Sequence, residues 1–371
     1  MSMGGGKRGR PRIADRATPR KKVYAIDLFC GAGGLTKGLE TAGLKVRLGI
    51  DIDRECEYPY SQNTAAQFMH ASVDKVAGRN LEPYYRKNGI RLLAGCAPCQ
   101  TFSSYNQKAD KNDRRWWLLL EFARLVREID PELVTMENVP GLAEQDVFGS
   151  FIESLERQGY RYSYSIVDCV QYGVPQMRKR LVLLASKYGP ISLLSPEEFG
   201  GQTKTVRMAI GHLRPLEAGQ TDSRDRLHQT AALSPLNMKR IKASKAGGSW
   251  KDWNTNLIAD CHRRATGESY PGVYGRMRWD EPSPTMTTQF YGFGSGRFGH
   301  PEQDRALSLR EGAILQTFPD NYEFVSPEKT VKKTTVGRLI GNAVPVKLGE
   351  VIGKSIMEHV WSFGNKARRV S

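Results

Sequence analysis

The stretch KVYAIDLFCGAGGLTKGLETAGLKVRLGIDID, residues 22–53, determines the architecture that the rest of the chain must join. Its opening run, KVYAIDLF, is apolar enough to predict a buried strand, and the glycine-rich turn CGAGG follows it directly. LTKGLETAGL has the composition of a helix that Gly43 closes, and KVRLGIDID predicts a second strand. A strand, a glycine turn, a helix and a strand in this order indicate the start of a parallel α/β sheet.

The same alternation continues to residue 187. IRLLAGCAP, ELVTMENV, YSIVDCV and RLVLLAS predict further strands, the last two as a hairpin-like pair, and apolar residues recur at helical spacing from Leu118 to Ile129. We therefore predict an α/β fold with a Rossmann-like, mostly parallel twisted sheet and a smaller irregular domain rich in Gly, Ser, Pro and charge. The predicted divisions are a disordered basic tail at 1–22, the main domain at 23–190 and 291–371, and the small region at 191–290.

The 371 residues carry a formal net charge of +16, and the basic residues are concentrated in two segments. Residues 1–22 hold eight Lys and Arg against one Asp, and residues 201–280 hold fourteen against seven acidic residues. This distribution favours a polyanionic partner, most simply nucleic acid, although solubility alone would also account for it. No apolar run is long enough to span a membrane, and six cysteines suit a reducing, intracellular setting better than a disulfide scaffold.

The glycine turn indicates a ligand that approaches the backbone closely. Gly31, Gly33 and Gly34 leave such space before a helix N-terminus, and Asp51 ends the second strand, where a carboxylate can hold two ribose hydroxyls. Thr36 stands where a dinucleotide-binding fingerprint requires its third glycine, and no phosphate-binding GKS or GKT motif is present. The pattern favours a nucleoside-type cofactor with little phosphate, and a tight packing turn is the alternative.

The two cysteines of GCAPCQTFSSYN, residues 95–106, admit three interpretations. A zinc knuckle needs about four ligands, and the chain has no second C-x-x-C pair and no ligand-like histidine spacing. A redox pair also fits the spacing, but the Ser, Thr, Gln and Asn side chains that follow suit hydrogen bonding to a polar substrate better. Cys99 follows Pro98 just past a strand end, where open α/β sheets bind their ligands, so we favour Cys99 as a nucleophile.

Two further elements place charged groups at strand ends. Glu137 ends ELVTMENV, so its carboxylate is expected to face Cys99 across the crevice between neighbouring strands. Arg178 and Arg180 stand at the start of the RLVLLAS strand, and their alternation points both side chains the same way. An arginine beside a thiolate and an acid can bind a carbonyl oxygen. Solvated surface positions are the alternative for all three charged residues.

These elements, in this order, resemble the DNA (cytosine-5)-methyltransferase family across roughly residues 23–187 and 305–350. DLFCGAGG is similar to the family's cofactor loop, PCQTFS to its nucleophile motif, ENVPGL to its acid motif and QMRKR to its Gln-x-Arg-x-Arg element. LSLREGAILQTFPDNYEF and GNAVPV are similar to its two closing motifs. The resemblance implies a class I methyltransferase fold, S-adenosyl-methionine as the cofactor, no metal, and a cytosine flipped out of duplex DNA as the substrate.

The resemblance also implies roles for individual residues. Cys99 would attack C6 of cytosine, Glu137 would protonate or hydrogen-bond N3 and the exocyclic amine, and Arg180 would hold the O2 carbonyl, with Arg178 in the same catalytic set. The residues that it places around the cofactor are Phe29, Gly31, Ala32, Gly34, Asp51, Ile52, Ser72, Val73, Pro98, Leu118 and Asn342.

The sequence departs from the family pattern in two places. Ser72 stands where the family often has an Asp on the adenine amine, with Asp74 two residues further on, so the anchoring of the adenine is open. Cys96 and Ala97 stand where the family commonly has Gly and Pro. Cys96 is therefore expected to be a bystander beside the pocket.

Contacts with DNA are expected in three places. The residues concerned are Gln100 and Ser103 beside the nucleophile, Trp250 and Trp253 in the loop GGSWKDWNTN, and Arg8 and Arg10 in KRGRPR. The small region is expected to read the target sequence, with an ordinary core turn as the alternative for the tryptophans. KRGRPR resembles an AT-hook, whose Arg-Gly-Arg-Pro core lies along the minor groove, and a non-specific basic tail is the alternative.

Three other functions remain in competition with DNA methylation. An RNA cytosine-5 methyltransferase on the same scaffold is the main alternative, and the long basic small region argues for duplex DNA instead. A silent DNA-binding scaffold conflicts with the intact set of catalytic residues, and a nicotinamide oxidoreductase conflicts with the broken glycine fingerprint. We expect a monomer without membrane contact, located in the cytoplasm at the nucleoid of a bacterium or in the nucleus of a eukaryote.

Overall fold

The computed structural model describes residues 22–98, 117–264 and 272–367. Its strands are β1 (Val23–Leu28), β2 (Lys45–Asp51), β3 (Gln67–His70), β4 (Ile90–Gly95), β5 (Leu133–Asn138), β6 (Arg161–Asp168), β7 (Gln176–Met177), β8 (Lys179–Ser186) and β9 (Ser283–Pro284). Seven of them form one sheet in the order β3-β2-β1-β4-β5-β8-β6. Only β8 runs antiparallel to its neighbours in this sheet, and all its other strand pairs are parallel.

Helices cover both faces of the sheet. They are α1 (Gly34–Thr41), α2 (Glu57–Asn63), α3 (Trp117–Ile129), α4 (Asp146–Arg157), α5 (Pro196–Phe199), α6 (Val206–Ile210), α7 (Pro235–Ala243), α8 (Leu309–Leu315), α9 (Lys333–Asn342) and α10 (Val346–Ala367). Phe122 of α3 and Phe151 of α4 are buried in the core on one face. Leu39 of α1 and Ile352 of α10 are buried in the core on the other. The predicted α/β fold with a mostly parallel sheet is confirmed.

The order of the strands explains their composition. β1, β4 and β5 lie in the middle of the sheet with helices on both faces, which is why they are nearly continuous apolar runs. β6 lies at an edge, and its Tyr164 and Ile166 are exposed. β6 pairs antiparallel with β8 along its whole length, as the hairpin-like pattern of the sequence predicts.

The last helix joins the sheet through a glycine contact. A Cβ atom on Gly38 of α1 would lie 2.3 Å from the carbonyl oxygen of Val346, the first residue of α10. Only a residue without a side chain allows the two helices to approach this closely. The C-terminal helix therefore packs on the same face as the first helix of the chain.

The small region contains little regular structure. α5, α6 and α7 are short, and β9 pairs only with the two-residue strand β7. Ile241, Trp250 and Trp253 form an apolar core together with Phe293 and Ala306, which follow the region in sequence. Its irregular character agrees with the sequence, while the exact domain divisions stay predictions.

None of the helices among residues 22–98, 117–264 and 272–367 is both long and apolar enough to cross a membrane.

Candidate active site

A cleft of about 1910 Å³ opens at the edge of the sheet where the parallel strands end. Its walls include the ends of β1, β2, β4 and β5 and the start of the reversed strand β8. The opposite wall contains residues of the small region and of the segment up to Phe298. Because β8 runs in the opposite direction, its first residues reach the same edge as the last residues of its neighbours, so groups from five strands meet in one space.

The glycine turn forms one end of the cleft. Phe29, Gly31 and Gly33 all have left-handed backbone conformations, with φ angles of 58°, 52° and 90°. The backbone nitrogens of Gly31 and Asp53 each donate a 2.9 Å hydrogen bond to the carboxylate of Asp51. Burial raises the pKa of Asp51 against the opposing effect of these bonds. The turn is thus held by the same carboxylate that was predicted to bind a ribose.

Asp27 is a second acid in this part of the cleft, and it is not among the residues predicted from the sequence. Its Oδ2 accepts a 2.7 Å hydrogen bond from Thr36 Oγ1, whereas its buried Oδ1 has no partner among the residues that the structure describes. Burial raises the pKa of Asp27 to about 7. The signal was present in the sequence, because a single acid inside the otherwise apolar strand YAIDLF needs a reason to be there.

Glu137 lines the cleft, and its two carboxylate oxygens have different surroundings: Oε2 accepts a hydrogen bond, whereas Oε1 has an ion-pair partner but accepts no hydrogen bond from the described residues. Arg180 Nε is 3.0 Å from its Oε1, and the thiol of Cys96 donates to its Oε2 over 2.8 Å. The Glu137 side chain is only 3% exposed, so this carboxylate is almost removed from water. The structure therefore brings together Glu137 and Arg180 as predicted, and it adds Cys96 to the pair.

Arg178 is buried beside this cluster but is bonded differently. Its guanidinium donates to Gln176 Oε1 and to backbone carbonyls, one at Met286 and two at Gly341 and Ala343. Burial, and next the charge of Arg180, lower the pKa of Arg178 to about 9. These bonds link the residue before β8 to the segment after β9 and to the C-terminal end of α9, which suits a bracing role.

The segment after β4 is tied to β5 at this edge. Asn138 Nδ2 donates a 3.0 Å hydrogen bond to the carbonyl oxygen of Ala97, one residue before Pro98. The chain that continues to Cys99 therefore leaves β4 next to Glu137. Cys99, Gln100, Ser103, Arg8 and Arg10 themselves lie outside the described residues.

The predicted cofactor residues divide into two groups. Those that line the cleft are Phe29, Gly31, Ala32, Asp51, Ile52, Pro98 and Asn342. Gly34, Ser72, Val73 and Leu118 are not among its described lining residues. A Cβ on Gly34 would lie 2.1 Å from the carbonyl oxygen of Val344, so this glycine permits packing against the segment before α10. Ser72 bonds to Asp74, and Val73 is buried in the core.

The two tryptophans of the small region point into its core. Trp250 stacks on His262, and Trp253 Nε1 donates a 2.9 Å hydrogen bond to Ser244 Oγ. Their residues are only 6% and 5% exposed. This burial favours the core turn over direct contact with DNA.

Among residues 22–98, 117–264 and 272–367, no group of three or more His, Cys, Asp or Glu side chains is placed so that it could hold a metal ion.

Comparison with known proteins agrees with this geometry. The family model of C-5 cytosine-specific DNA methylases matches residues 23–358. The chain is 51% identical to the type II methylase M.HgiDII of Herpetosiphon aurantiacus over 334 residues, which cover 89% of this chain and 94% of that protein. It is 32% identical to the type II methyltransferase M.PspPI of Psychrobacter sp. over 351 residues, 91% and 80% of the two chains.

The fold is shared with solved structures as well. A protein encoded within an Escherichia coli prophage matches with a TM-score of 0.69 and 21% identity, covering 91% of this chain and 99% of that one. The resemblance in the sequence motifs is thereby confirmed, and the chain belongs to the family of C-5 cytosine-specific DNA methylases.

Proposed function

We propose that this methylase transfers a methyl group from S-adenosyl-methionine to C5 of a cytosine flipped out of a specific duplex DNA sequence, with Cys99 as the covalent nucleophile. The observation that carries the proposal is the buried Glu137–Arg180 pair, which lies at the strand edge next to the segment that leads to Cys99. Relatives named as type II methylases support a sequence-specific modification enzyme of the bacterial cytoplasm.

The residues at the glycine turn fit the proposed cofactor. Asp51 ends β2 beside a turn whose backbone is left-handed and open, which suits a ribose held close to the main chain. Asp27 Oδ1 is a buried acceptor that lacks a partner among the described residues, and this suits a cofactor that carries positive charge. When bound there, S-adenosyl-methionine supplies an electrophilic methyl group on its sulfonium.

The proposed role of the protein is to make C5 of cytosine a nucleophile. Attack of the Cys99 thiolate on C6 forms a sulfur–carbon bond and converts the ring into an enamine with electron density at C5. After C5 has accepted the methyl group, loss of the C5 proton and then of the Cys99 thiolate restores the aromatic ring. Duplex DNA hides both faces of the C5–C6 bond by stacking, which is why the base must leave the helix.

Glu137 and Arg180 are proposed to lower the energy of this addition. Glu137 would hydrogen-bond or protonate N3 and accept from the exocyclic amine, and Arg180 would donate to O2, where negative charge builds. Their mutual contact holds both groups in place before the substrate arrives. Arg178, whose two terminal nitrogens donate to Gln176 and to backbone carbonyls, is proposed to brace the start of β8.

Readout of the target is proposed to involve the arginines on the opposite wall of the cleft. Arg278 and Arg297 both line it, and both meet at Gly247. Arg297 donates to the carbonyl oxygen of Gly247, and a Cβ on this glycine would lie 2.0 Å from Arg278 Nε. Arginine is well suited to guanine, whose O6 and N7 accept two hydrogen bonds in the major groove. Gly247 thus leaves space for Arg278 and accepts a hydrogen bond from Arg297 through its carbonyl oxygen.

The substrate is tested by offering the purified protein labelled S-adenosyl-methionine with plasmid DNA and, separately, with transfer RNA. We expect label only in duplex DNA, and bisulfite sequencing should locate it at cytosines of one short sequence. Transfer into RNA with none into duplex DNA would instead establish the RNA methyltransferase alternative.

The role of Glu137 is tested by Glu137→Gln with Glu144→Gln, an exposed residue after β5, as the matched control. We expect the first change to lower kcat by at least about 100-fold, because it acts in the transition state, while the affinity for DNA changes little. Equal losses of turnover and binding would make Glu137 a binding or structural group.

A further inference from the structure

The contact between Cys96 and Glu137 gives a function to a residue that the sequence alone marks as a bystander. Cys96 lines the cleft, and its Sγ lies 2.8 Å from Glu137 Oε2. The other carboxylate oxygen, Oε1, lies 3.0 Å from Arg180 Nε. Among the described residues, the guanidinium therefore pairs with this almost completely buried carboxylate by charge alone, and the thiol is its hydrogen-bond donor.

A hydrogen bond constrains the direction of a carboxylate more than an ion pair does. The terminal torsion of a glutamate is broad, so a single ion pair leaves the plane of the carboxylate free to turn. A hydrogen bond to the other oxygen restricts that rotation, and a catalytic carboxylate must hold its direction closely to act on a small ring. The backbone also supports this arrangement, because Cys96 directly follows β4, and β4 pairs in register with β5, which carries Glu137.

We propose that Cys96 is a positioning residue that holds the Glu137 carboxylate in its productive orientation through the Sγ–H···Oε2 hydrogen bond. This inference rests on the proposed function of Glu137 and goes beyond it, since it assigns part of the catalytic geometry to the first cysteine of the C-x-x-C pair. The thiol takes no covalent part, and it remains a hydrogen-bond donor throughout the reaction.

The test compares Cys96→Ala, which removes the donor, with Cys96→Ser, which keeps one. Cys261→Ser, at an exposed cysteine far along the chain, controls for the loss of a thiol. We expect Cys96→Ala to lower kcat about fivefold with KM for DNA and for the methyl donor nearly unchanged, and Cys96→Ser to remain within about twofold of the wild type. Equal kcat values in all variants, or equal losses for Ala and Ser, would overturn the proposal.

A double-mutant cycle separates this inference from the role of Glu137. Single-turnover rates are measured for Cys96→Ala, Glu137→Ala and the combination, with thermal unfolding to verify that each variant is folded. If Cys96 acts through Glu137, its removal should have no further effect once Glu137 is absent. A full additional fivefold loss in the Glu137→Ala background would overturn the role of Cys96. Unchanged turnover in Glu137→Ala alone would instead overturn the proposed role of Glu137.

Discussion

The backbone carbonyl groups of the sheet and of the small region obtain their hydrogen bonds from different donors. In the sheet the carbonyl groups pair with neighbouring strands, so charged side chains at the strand ends, such as Glu137 and Arg180, are available for chemistry. In the small region, the described residues contain almost no strands. The side chain of Arg276 there supplies hydrogen bonds to backbone carbonyls that neighbouring strands would otherwise supply. Its guanidinium donates to the carbonyl oxygens of Ile241, Ser244, His300 and Gln303 and also pairs with Asp304.

A second buried arginine follows the small region. Arg305 forms two 2.7 Å hydrogen bonds with the carboxylate of Glu311, at the start of α8, and also donates to the carbonyl oxygen of Leu216. Burial alone would raise the pKa of Glu311, but Arg305 more than offsets this and lowers it to about 2. A positive charge in this part of the chain is therefore not by itself a sign of a DNA-binding surface.

The largest effect is expected from removing the hydrogen bonds that Arg276 donates to backbone carbonyls. Arg276→Met should lower the free energy of unfolding by about 4 kcal/mol, because several buried carbonyls and Asp304 lose their donor. Urea unfolding measures this loss. Arg278→Met, two residues away with a side chain that is 54% exposed, is the control and should change stability by no more than about 0.5 kcal/mol. Equal stabilities of the two variants would show that the hydrogen bonds of Arg276 do not stabilise the small region.

The next effect concerns the loss of stability caused by burying the Asp27 carboxylate in β1 beside the glycine turn. The pKa of Asp27 is about 7 in the folded chain against 3.8 for an unperturbed Asp. The folded state then holds a proton more tightly than the unfolded state, so this group makes stability fall as pH rises from about 4 to about 7. Asp27→Asn should remove that fall and stabilise the cofactor-free protein by about 3 kcal/mol at pH 8.

The measurement is the difference in unfolding free energy between wild type and Asp27→Asn at pH 5 and at pH 8. The difference should favour the variant at pH 8 and shrink at pH 5. The same variant is expected to bind S-adenosyl-methionine more weakly, since its side chain loses the negative charge. If the difference does not change with pH, burial does not raise the pKa of Asp27.

A smaller effect is expected on the wall that faces the sheet. Once the methylated sequence is known, Arg278→Ala should reduce discrimination against one altered base pair by about tenfold, while stability stays nearly constant. Methylation rates on the target and on single-base variants of it measure this. An unchanged preference at every position would assign readout to other residues of the cleft.

The two regions also explain what could be predicted from the sequence. The ends of strands can be predicted from the sequence because the apolar run stops at a polar residue. This predicted Asp51, Glu137 and Arg180 at the same edge of the sheet. The partners of Arg276 were not predictable, because they are backbone carbonyls that are brought together only by the fold. The inward packing of Trp250 and Trp253 was predicted only as the alternative to DNA contact, because a glycine-rich loop shows no periodicity that would indicate a core.

The Cys96–Glu137 contact shows a further limit. The sequence separates the two residues by 41 positions, and only the register of β4 with β5 makes them neighbours. A motif that matches a family explains the residues that the family shares. A residue that departs from the family's usual pattern, as Cys96 does, needs the structure before its contacts can be seen.

The central claim, covalent catalysis by Cys99, is tested most directly with duplex DNA that carries 5-fluorocytosine at the methylated position. Fluorine cannot leave C5 as a proton does, so the sulfur–carbon bond to C6 should persist after methyl transfer. We predict a stable protein–DNA adduct for the wild type and for Cys96→Ser, and no adduct or turnover for Cys99→Ser. An adduct that forms undiminished with Cys99→Ser would contradict the account.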